Sequence, residues 1–218
     1  MRFGMDYYSS IKLSAADIQN QDYKKHLGGG AAHWETRGAF QLFLLQKMGL
    51  KKSDRLLDAG CGPIRSGVHF INYLDAGNYC GLDSNADFIR VAEETVAQKP
   101  ELRAKSPRLE RVENFEFARL RGPFAFVIAF SVLNHCQPPA RRIFFENLSY
   151  VTTPESRIYV THAPWFQTAQ LSQTRLRLGR AFNSAREIAA DLDMQNWGWP
   201  PTESIFPILE LVSESKPA

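Results

Sequence analysis

The sequence lacks most of the features that mark a specialised class of protein. Its 218 residues include three cysteines, Cys61, Cys80 and Cys136, spaced neither as a C-x-x-C pair nor as a zinc ligand set. A disulfide framework or a structural metal is therefore not expected, and the thiols read as free groups in a reducing compartment. No stretch approaches the ~18 apolar residues of a membrane span, and the opening MRFGMDYYSS has no apolar core of an export signal. These absences lead to the expectation of a soluble, cytoplasmic protein. Charge of one sign is not in excess either, since 26 Lys and Arg stand against 23 Asp and Glu for a net charge of +3. That balance falls short of the dense basic face of a dedicated nucleic-acid binder, and no appendage interleaves aromatic with basic residues. Internal repeats and low-complexity stretches are missing too.

What is present is an ordinary globular composition, 44% hydrophobic and 22% charged. The length supports one full core, so residues 1–218 read as a single domain. The chain is organised around residues 55–67, RLLDAGCGPIRSG. Leu56 and Leu57 begin a short buried strand that runs through Asp58 to Ala59. The turn Gly60-Cys61-Gly62-Pro63 follows, and a helix is expected from Ile64 onward. Strand, glycine turn and helix form the first unit of a Rossmann-like sheet, in which a ligand lies against a backbone that carries no Cβ. A dinucleotide fits this turn poorly. The spacing G-x-G-x-x-G requires glycine where Arg65 stands, and Asp58 would oppose a pyrophosphate but attract an ammonium group.

The string LDAGCG, of the form acidic-x-G-x-G, resembles the first motif of the class I S-adenosylmethionine-dependent methyltransferases. The string GLDSN at 81–85 resembles their second motif, with Asp83 as the acidic residue ending strand two. Order and spacing agree with that family over residues 55–164. The resemblance implies an α/β, Rossmann-like, mostly parallel seven-stranded sheet with helices on both faces. It further implies S-adenosyl-L-methionine as cofactor and S-adenosyl-L-homocysteine as product.

The remaining pattern fits such a sheet. Residues 1–37 are irregular and aromatic, broken by Gly28-Gly29-Gly30, and 39–48 read as a buried helix ended by Gly49. In the resembling family a helical segment before the first strand commonly closes over the cofactor. Residues 1–50 are thus either a lid that includes His33 and Trp34 or a packing appendage. Strands are expected at 55–59, 79–83, 109–113, 124–131 and 157–162, with helices between them, including 86–98 and 138–151. Residues 51–164 make the cofactor-binding core, and 165–218 the substrate side and closing strands. In that last part, 185–192 look helical, 194–199 and 205–212 look like strands, and Pro207 points to an edge or a bulge.

In an open parallel sheet, ligands sit at the carboxyl ends of the strands. On the resemblance, Asp58 with Gly60, Cys61 and Gly62 would face the methionine end of the cofactor. Asp83 beside Ser84 would accept the ribose hydroxyls with two free oxygens, and Asn114 with Phe115 would hold the adenine or, alternatively, stand as a turn residue and a core phenylalanine. Ser131 opens the segment SVLNHC beside the transferring methyl, and Trp34 belongs to the lid. Arg65 would pair with the methionine carboxylate, or with Asp75 or Glu35 as plain structure. His135 is the candidate general base, or alternatively a pocket wall with catalysis by proximity. His162 is a second candidate, whereas Cys136 is not expected as a nucleophile. Arg175, Arg177, Arg180 and Arg186 are either a solvated basic face or a site for an anionic acceptor.

The strings N-P-P-Y and D-P-P-Y, which in this family mark methylation of planar nitrogens, are absent; Asn134-His135-Cys136-Gln137 stands in their place. No carboxylate–histidine metal cluster is visible, so no metal is expected. The sequence thus points to methyl transfer to a small-molecule or glycan-type acceptor, with O-methylation the favoured chemistry. The alternatives are a protein or RNA methyltransferase and a non-catalytic cofactor-binding partner subunit. A nicotinamide dehydrogenase is disfavoured by Asp58 and Arg65.

Overall fold

The structure is a computed structural model that describes residues 7–27, 33–161, 184–187 and 208–212. Seven strands form one sheet: β1 (Leu56–Ala59), β2 (Tyr79–Asp83), β3 (Arg108–Arg111), β4 (Phe126–Ala129), β5 (Arg157–Thr161), β6 (Ser184–Glu187) and β7 (Ile208–Val212). Their spatial order is β3-β2-β1-β4-β5-β7-β6. The first five are parallel, and β7 runs antiparallel to both of its neighbours. The strand order reverses between β1 and β4, and open α/β sheets take their ligands in the crevice at such a switch, outside the carboxyl ends of the strands. The mostly parallel seven-stranded sheet expected from the sequence is the one that forms.

The helices are α1 (Tyr7–Ser10), α2 (Ala15–Gln19), α3 (Tyr23–His26), α4 (Trp34–Lys47), α5 (Gly67–Tyr73), α6 (Ala86–Gln98), α7 (Pro100–Arg103) and α8 (Pro138–Asn147). Burial of both sheet faces follows from the unbroken apolar strands. Alternate strand residues go to opposite layers. Leu57, Ala59, Val127 and Ala129 pack with Phe144 and Phe145 of α8. Leu56, Phe126 and Ile128 pack with Leu44 of α4 and Phe70 of α5 on the other side. Helix α4 sits close on α5 because a Cβ at Gly38 would come within 2.6 Å of the Arg65 carbonyl oxygen. A third, smaller cluster joins the N-terminal segment to α6 through Leu13, Tyr23, Trp34, Phe88 and Val91.

Several expected boundaries move, each for a physical reason. Helix α5 starts at Gly67, not at Ile64, because Ile64 is fully buried at φ 51° and so extends the turn. Helix α4 begins at Trp34, earlier than 39, because Trp34 and Gly38 supply its buried first turns. The N-terminal segment expected to be irregular carries three short helices; α2 is fixed by a capping box between Ser14 and Asp17. Residues 184–187 form β6, not the start of a helix, since pairing along β7 overrides a local helical preference. Strand β7 lies inside the sheet between β5 and β6, not at an edge, and Pro207 lies outside the described residues. The strand expected at 194–199 lies outside the described residues.

At the end of the sheet away from the crevice, Glu210 of β7 ties three elements together. Its Oε1 accepts from Arg157 Nε (2.9 Å) and Nη2 and from the Tyr159 hydroxyl (2.9 Å), and Arg157 also donates to the Met48 carbonyl after α4. Removing Glu210 would leave Arg157 and the fully buried Tyr159 without this acceptor. Glu210→Ala is therefore expected to cost about 2–4 kcal/mol, read as a lowered midpoint in urea or thermal unfolding. A midpoint equal to that of the wild type would contradict the role given to this network.

Candidate active site

The crevice is built on the ends of β1, β2 and β4. Asp58, 6% exposed in β1, accepts a hydrogen bond from the Tyr79 hydroxyl of β2 at 2.9 Å. Burial pushes the Asp58 carboxyl up to about 7; the Tyr79 bond pulls it down, Asp83 raises it and Arg65 lowers it. After Ala59 the chain folds over the end of β2, and the N–H groups of Gly60 and Cys61 both donate to the Leu82 carbonyl, at 2.7 and 2.9 Å. Gly60 stands at φ +94°, and a Cβ there would lie 2.2 Å from Val132 Cγ2 of the segment after β4. Gly62 stands at φ +55°, and a Cβ there would meet no described atom within 4 Å. The Cys61 thiol is buried against Gly81, and burial holds it well above the usual thiol range. Cys61 therefore shapes the turn from beneath.

At the end of β2, Asp83 Oδ2 accepts from the Gly62 N–H (2.9 Å) and Oδ1 from the Asn85 N–H (2.8 Å). The sequence reading gave Asp83 two unengaged oxygens. Instead each holds one backbone donor, because the strand ends between the glycine turn and the start of α6. A carboxylate oxygen accepts more than one hydrogen bond, so this fixes the group's orientation without exhausting its capacity. Ser84 is half-buried, and its carbonyl accepts from Arg111 Nε at 3.1 Å.

Beyond β3, Asn114 is exposed and Phe115 half-buried, both at φ 52°. Phe115 packs edge-on to Phe144 at 5.1 Å, and its carbonyl accepts from Asn147 Nδ2 at 2.7 Å. Two successive left-handed residues are held by these contacts, as strained loops at binding sites are.

Arg65 lies over the Trp34 ring, 5.6 Å from its centroid. Burial and the neighbouring Arg37 bring its guanidinium down to about 10, still charged at neutral pH. Glu35, one expected partner of Arg65, lies against His69 at 3.6 Å. Trp34 is a core residue of the N-terminal cluster, edge-on to Tyr23 at 5.7 Å, and meets the site through Arg65. After β4, Ser131 is exposed at φ 57° and donates its N–H to Thr161 Oγ1 at 2.6 Å. Asn134 Nδ2 lies 3.0 Å from His135 Nε2, and the Tyr8 ring stands edge-on to the imidazole at 4.7 Å.

His162, Arg175, Arg177 and Arg180 lie outside the described residues, and Arg186 falls in β6. Among the described residues no His, Cys, Asp or Glu cluster is of metal-binding type, and no helix is long and apolar enough to cross a membrane.

Three site residues were not found by sequence reasoning: Tyr79 beneath Asp58, Tyr8 against His135, and Asn85. Only Asn85 left a local signal, as an N-cap before α6. Its other contacts join segments more than 70 residues apart.

A crevice at the β1/β4 switch, an acidic-x-Gly-x-Gly turn over β1 and a carboxylate ending β2 together define a Rossmann-like methyltransferase fold. The family described as methyltransferase domain matches residues 57–158, so that stretch of the chain is similar to methyltransferases. An uncharacterized methyltransferase of Schizosaccharomyces pombe is 30% identical over 129 residues, 56% of this chain and 43% of that protein. The match thus spans less than half of that relative's length. Magnesium protoporphyrin IX methyltransferase of Synechocystis, solved with bound S-adenosylmethionine, shares the fold at 17% identity and a TM-score of 0.61, covering 96% of this chain and 94% of its own. A TehB-like S-adenosylmethionine-dependent methyltransferase of Corynebacterium glutamicum does so at 17% identity and 0.58, covering 93% and 100%.

Proposed function

We propose that the chain binds S-adenosylmethionine in the β1/β4 crevice and transfers its methyl group to a small-molecule or glycan-type acceptor, at oxygen. The observation that carries this reading is the placement of two carboxylates around one turn: Asp58 buried before it, and Asp83 hydrogen-bonded to Gly62 within it. A buried carboxyl pushed up to about 7 fits a cationic ammonium group. The uncrowded face of Gly62 fits a ligand pressed against backbone.

When bound, the cofactor supplies an electrophilic methyl on a sulfonium. Asp58 would neutralise the ammonium, Arg65 would pair with the carboxylate, and Asp83 would accept from the ribose hydroxyls beside Ser84. Asn114 and Phe115 would border the adenine, with Ser131 near the sulfur. His135 would take the proton of an acceptor hydroxyl at Nδ1 as the new C–O bond forms, with the Asn134 amide turned so that its oxygen accepts from Nε2–H. Most of the rate would come from aligning the acceptor with the methyl in a pocket shielded from water. Residues 1–50 would then act as cover, 51–164 as the cofactor-binding core and 165–218 as the substrate side.

Asp83→Ala is expected to weaken S-adenosylhomocysteine binding roughly 10- to 100-fold through the lost ribose hydrogen bonds, measured by equilibrium titration. An unchanged affinity would remove Asp83 from the site.

A further inference from the structure

In the helix layer formed by α4 and α5, a cavity of about 350 Å³ is lined by Leu42, Lys52, His69, Asn72 and Tyr73. It lies apart from the strand ends discussed above. Lys52 precedes β1 and so stands toward the amino end of the sheet, while the other four residues belong to α4 and α5. Leu42 and Tyr73 are half-buried against the core on this side of the sheet and supply an apolar wall. The Tyr73 hydroxyl donates to the Leu50 carbonyl at 2.9 Å, which fixes its ring. A space of this size takes a small molecule.

The polar lining is rich in donors. Lys52 is exposed, and among the described residues its ammonium has no carboxylate partner. Its backbone is nevertheless fixed, because the Lys52 carbonyl accepts from the Asp75 N–H (2.8 Å) and from Asn78 Nδ2 (3.2 Å). Asn72 is exposed beside it, with its amide open to a ligand. The Cδ2–Nε2 edge of the His69 ring lies against Gly38, where a Cβ would come 2.9 and 3.0 Å from those two atoms. Nε2 is buried there without a hydrogen bond, 3.6 Å from Glu35 Oε2. The opposite vertex of the ring, Nδ1, is the nitrogen left accessible. Burial holds the imidazole below its ordinary value; Glu35 raises it and Lys99, at the end of α6, lowers it. An anion in the cavity would favour the imidazolium, with Nε2–H turned to Glu35 and Nδ1–H donating to the anion.

We propose that this cavity is a second ligand site, separate from the cofactor crevice, and that it takes a small phosphate monoester with a flat apolar body. Lys52, Asn72 and His69 Nδ1–H would hold the phosphate oxygens, and Leu42 with the Tyr73 ring would cover the body. A phosphate monoester carries about −1.5 to −2 charge at neutral pH and three strong acceptor oxygens. One ammonium, one imidazolium and one amide match that charge and that number of acceptors, whereas a carboxylate offers one charge and two oxygens. The site stands independently of the methyl-transfer reading.

Phenyl phosphate is the probe, and the imidazole proton resonances of His69, identified by their loss in His69→Gln, are the readout. Titration into the full-length wild-type protein should move these resonances saturably and raise the midpoint of their pH titration by about one pH unit. Resonances that do not respond overturn the site. Lys52→Gln changes an exposed side chain and should leave the melting temperature unaltered, while weakening phenyl phosphate binding about tenfold or more. Binding within twofold of the wild type in that variant also overturns the site. Inorganic phosphate, which has no body to cover Leu42 and Tyr73, should bind about tenfold more weakly than phenyl phosphate. Equal affinity for the two overturns the ligand class.

Discussion

Asp58→Asn is expected to lower S-adenosylhomocysteine affinity about 100-fold at pH 8 while raising the melting temperature of the ligand-free protein. The two effects share one cause, a carboxylate buried where the fold gives it little solvation. Burial lifts this carboxyl from an ordinary 3.8 to about 7. The folded state therefore holds a proton that the unfolded chain has already released. The stabilisation is complete below about pH 4 and is lost as pH rises through about 7. Above that, the ionised group burdens the folded protein by as much as roughly 4 kcal/mol. Asparagine removes the burden and still accepts from the Tyr79 hydroxyl, so the melting temperature at pH 8 should rise by about 5 °C or more. Near pH 4 the two proteins should melt alike. Binding runs the other way, since an ammonium ligand favours the ionised carboxylate and loses a charge-assisted contact worth ~2–3 kcal/mol in the variant. For the wild type, affinity should fall about tenfold per pH unit below 7. Thermal unfolding and ligand titration across pH 5–8 check both signs. A variant less stable than the wild type at pH 8 would contradict the electrostatic origin of the effect.

Gly60→Ala and Gly62→Ala should separate what the turn does for the fold from what it does for the ligand. At Gly60 a methyl group would sit 2.2 Å from Val132 Cγ2 at φ +94°. Left-handed strain and overpacking together should cost about 3 kcal/mol or more and displace the segment that carries His135. At Gly62 the added methyl meets no described atom, and φ +55° lies in the left-handed well that alanine enters for about 1–2 kcal/mol. That variant should fold, with a modestly lower melting point, yet lose S-adenosylhomocysteine binding because the methyl projects into the ligand's position. Circular dichroism melts and titration of both variants test the contrast. Full binding by Gly62→Ala would mean that the ligand does not lie on this turn.

The parts of the fold legible in the sequence were those set by local chemistry. The apolar strands around Leu56–Leu57 and Val127–Ile128, the glycine turn and the strand-end Asp58 and Asp83 each require particular residue types close together in the chain. The helix start at Gly67 was not legible, because Ile64 takes a left-handed conformation that only its complete burial explains. The strand at 184–187 was missed because its pairing partner lies more than twenty residues further on. The site divided in the same way. Asp58 and Asp83 announced themselves through motif spacing, whereas Tyr79 beneath Asp58 and Tyr8 against His135 arise from tertiary contacts alone.

The central claim is that the turn after β1 holds an amino-acid ligand with an adenosine tail. Calorimetric titration of the wild-type protein at pH 8 with S-adenosylhomocysteine, and in parallel with NADH, tests it most directly. Stoichiometric micromolar binding of S-adenosylhomocysteine and none of NADH is the predicted result. Binding of NADH alone would contradict it, because Asp58 would then tolerate a pyrophosphate where an ammonium group is expected.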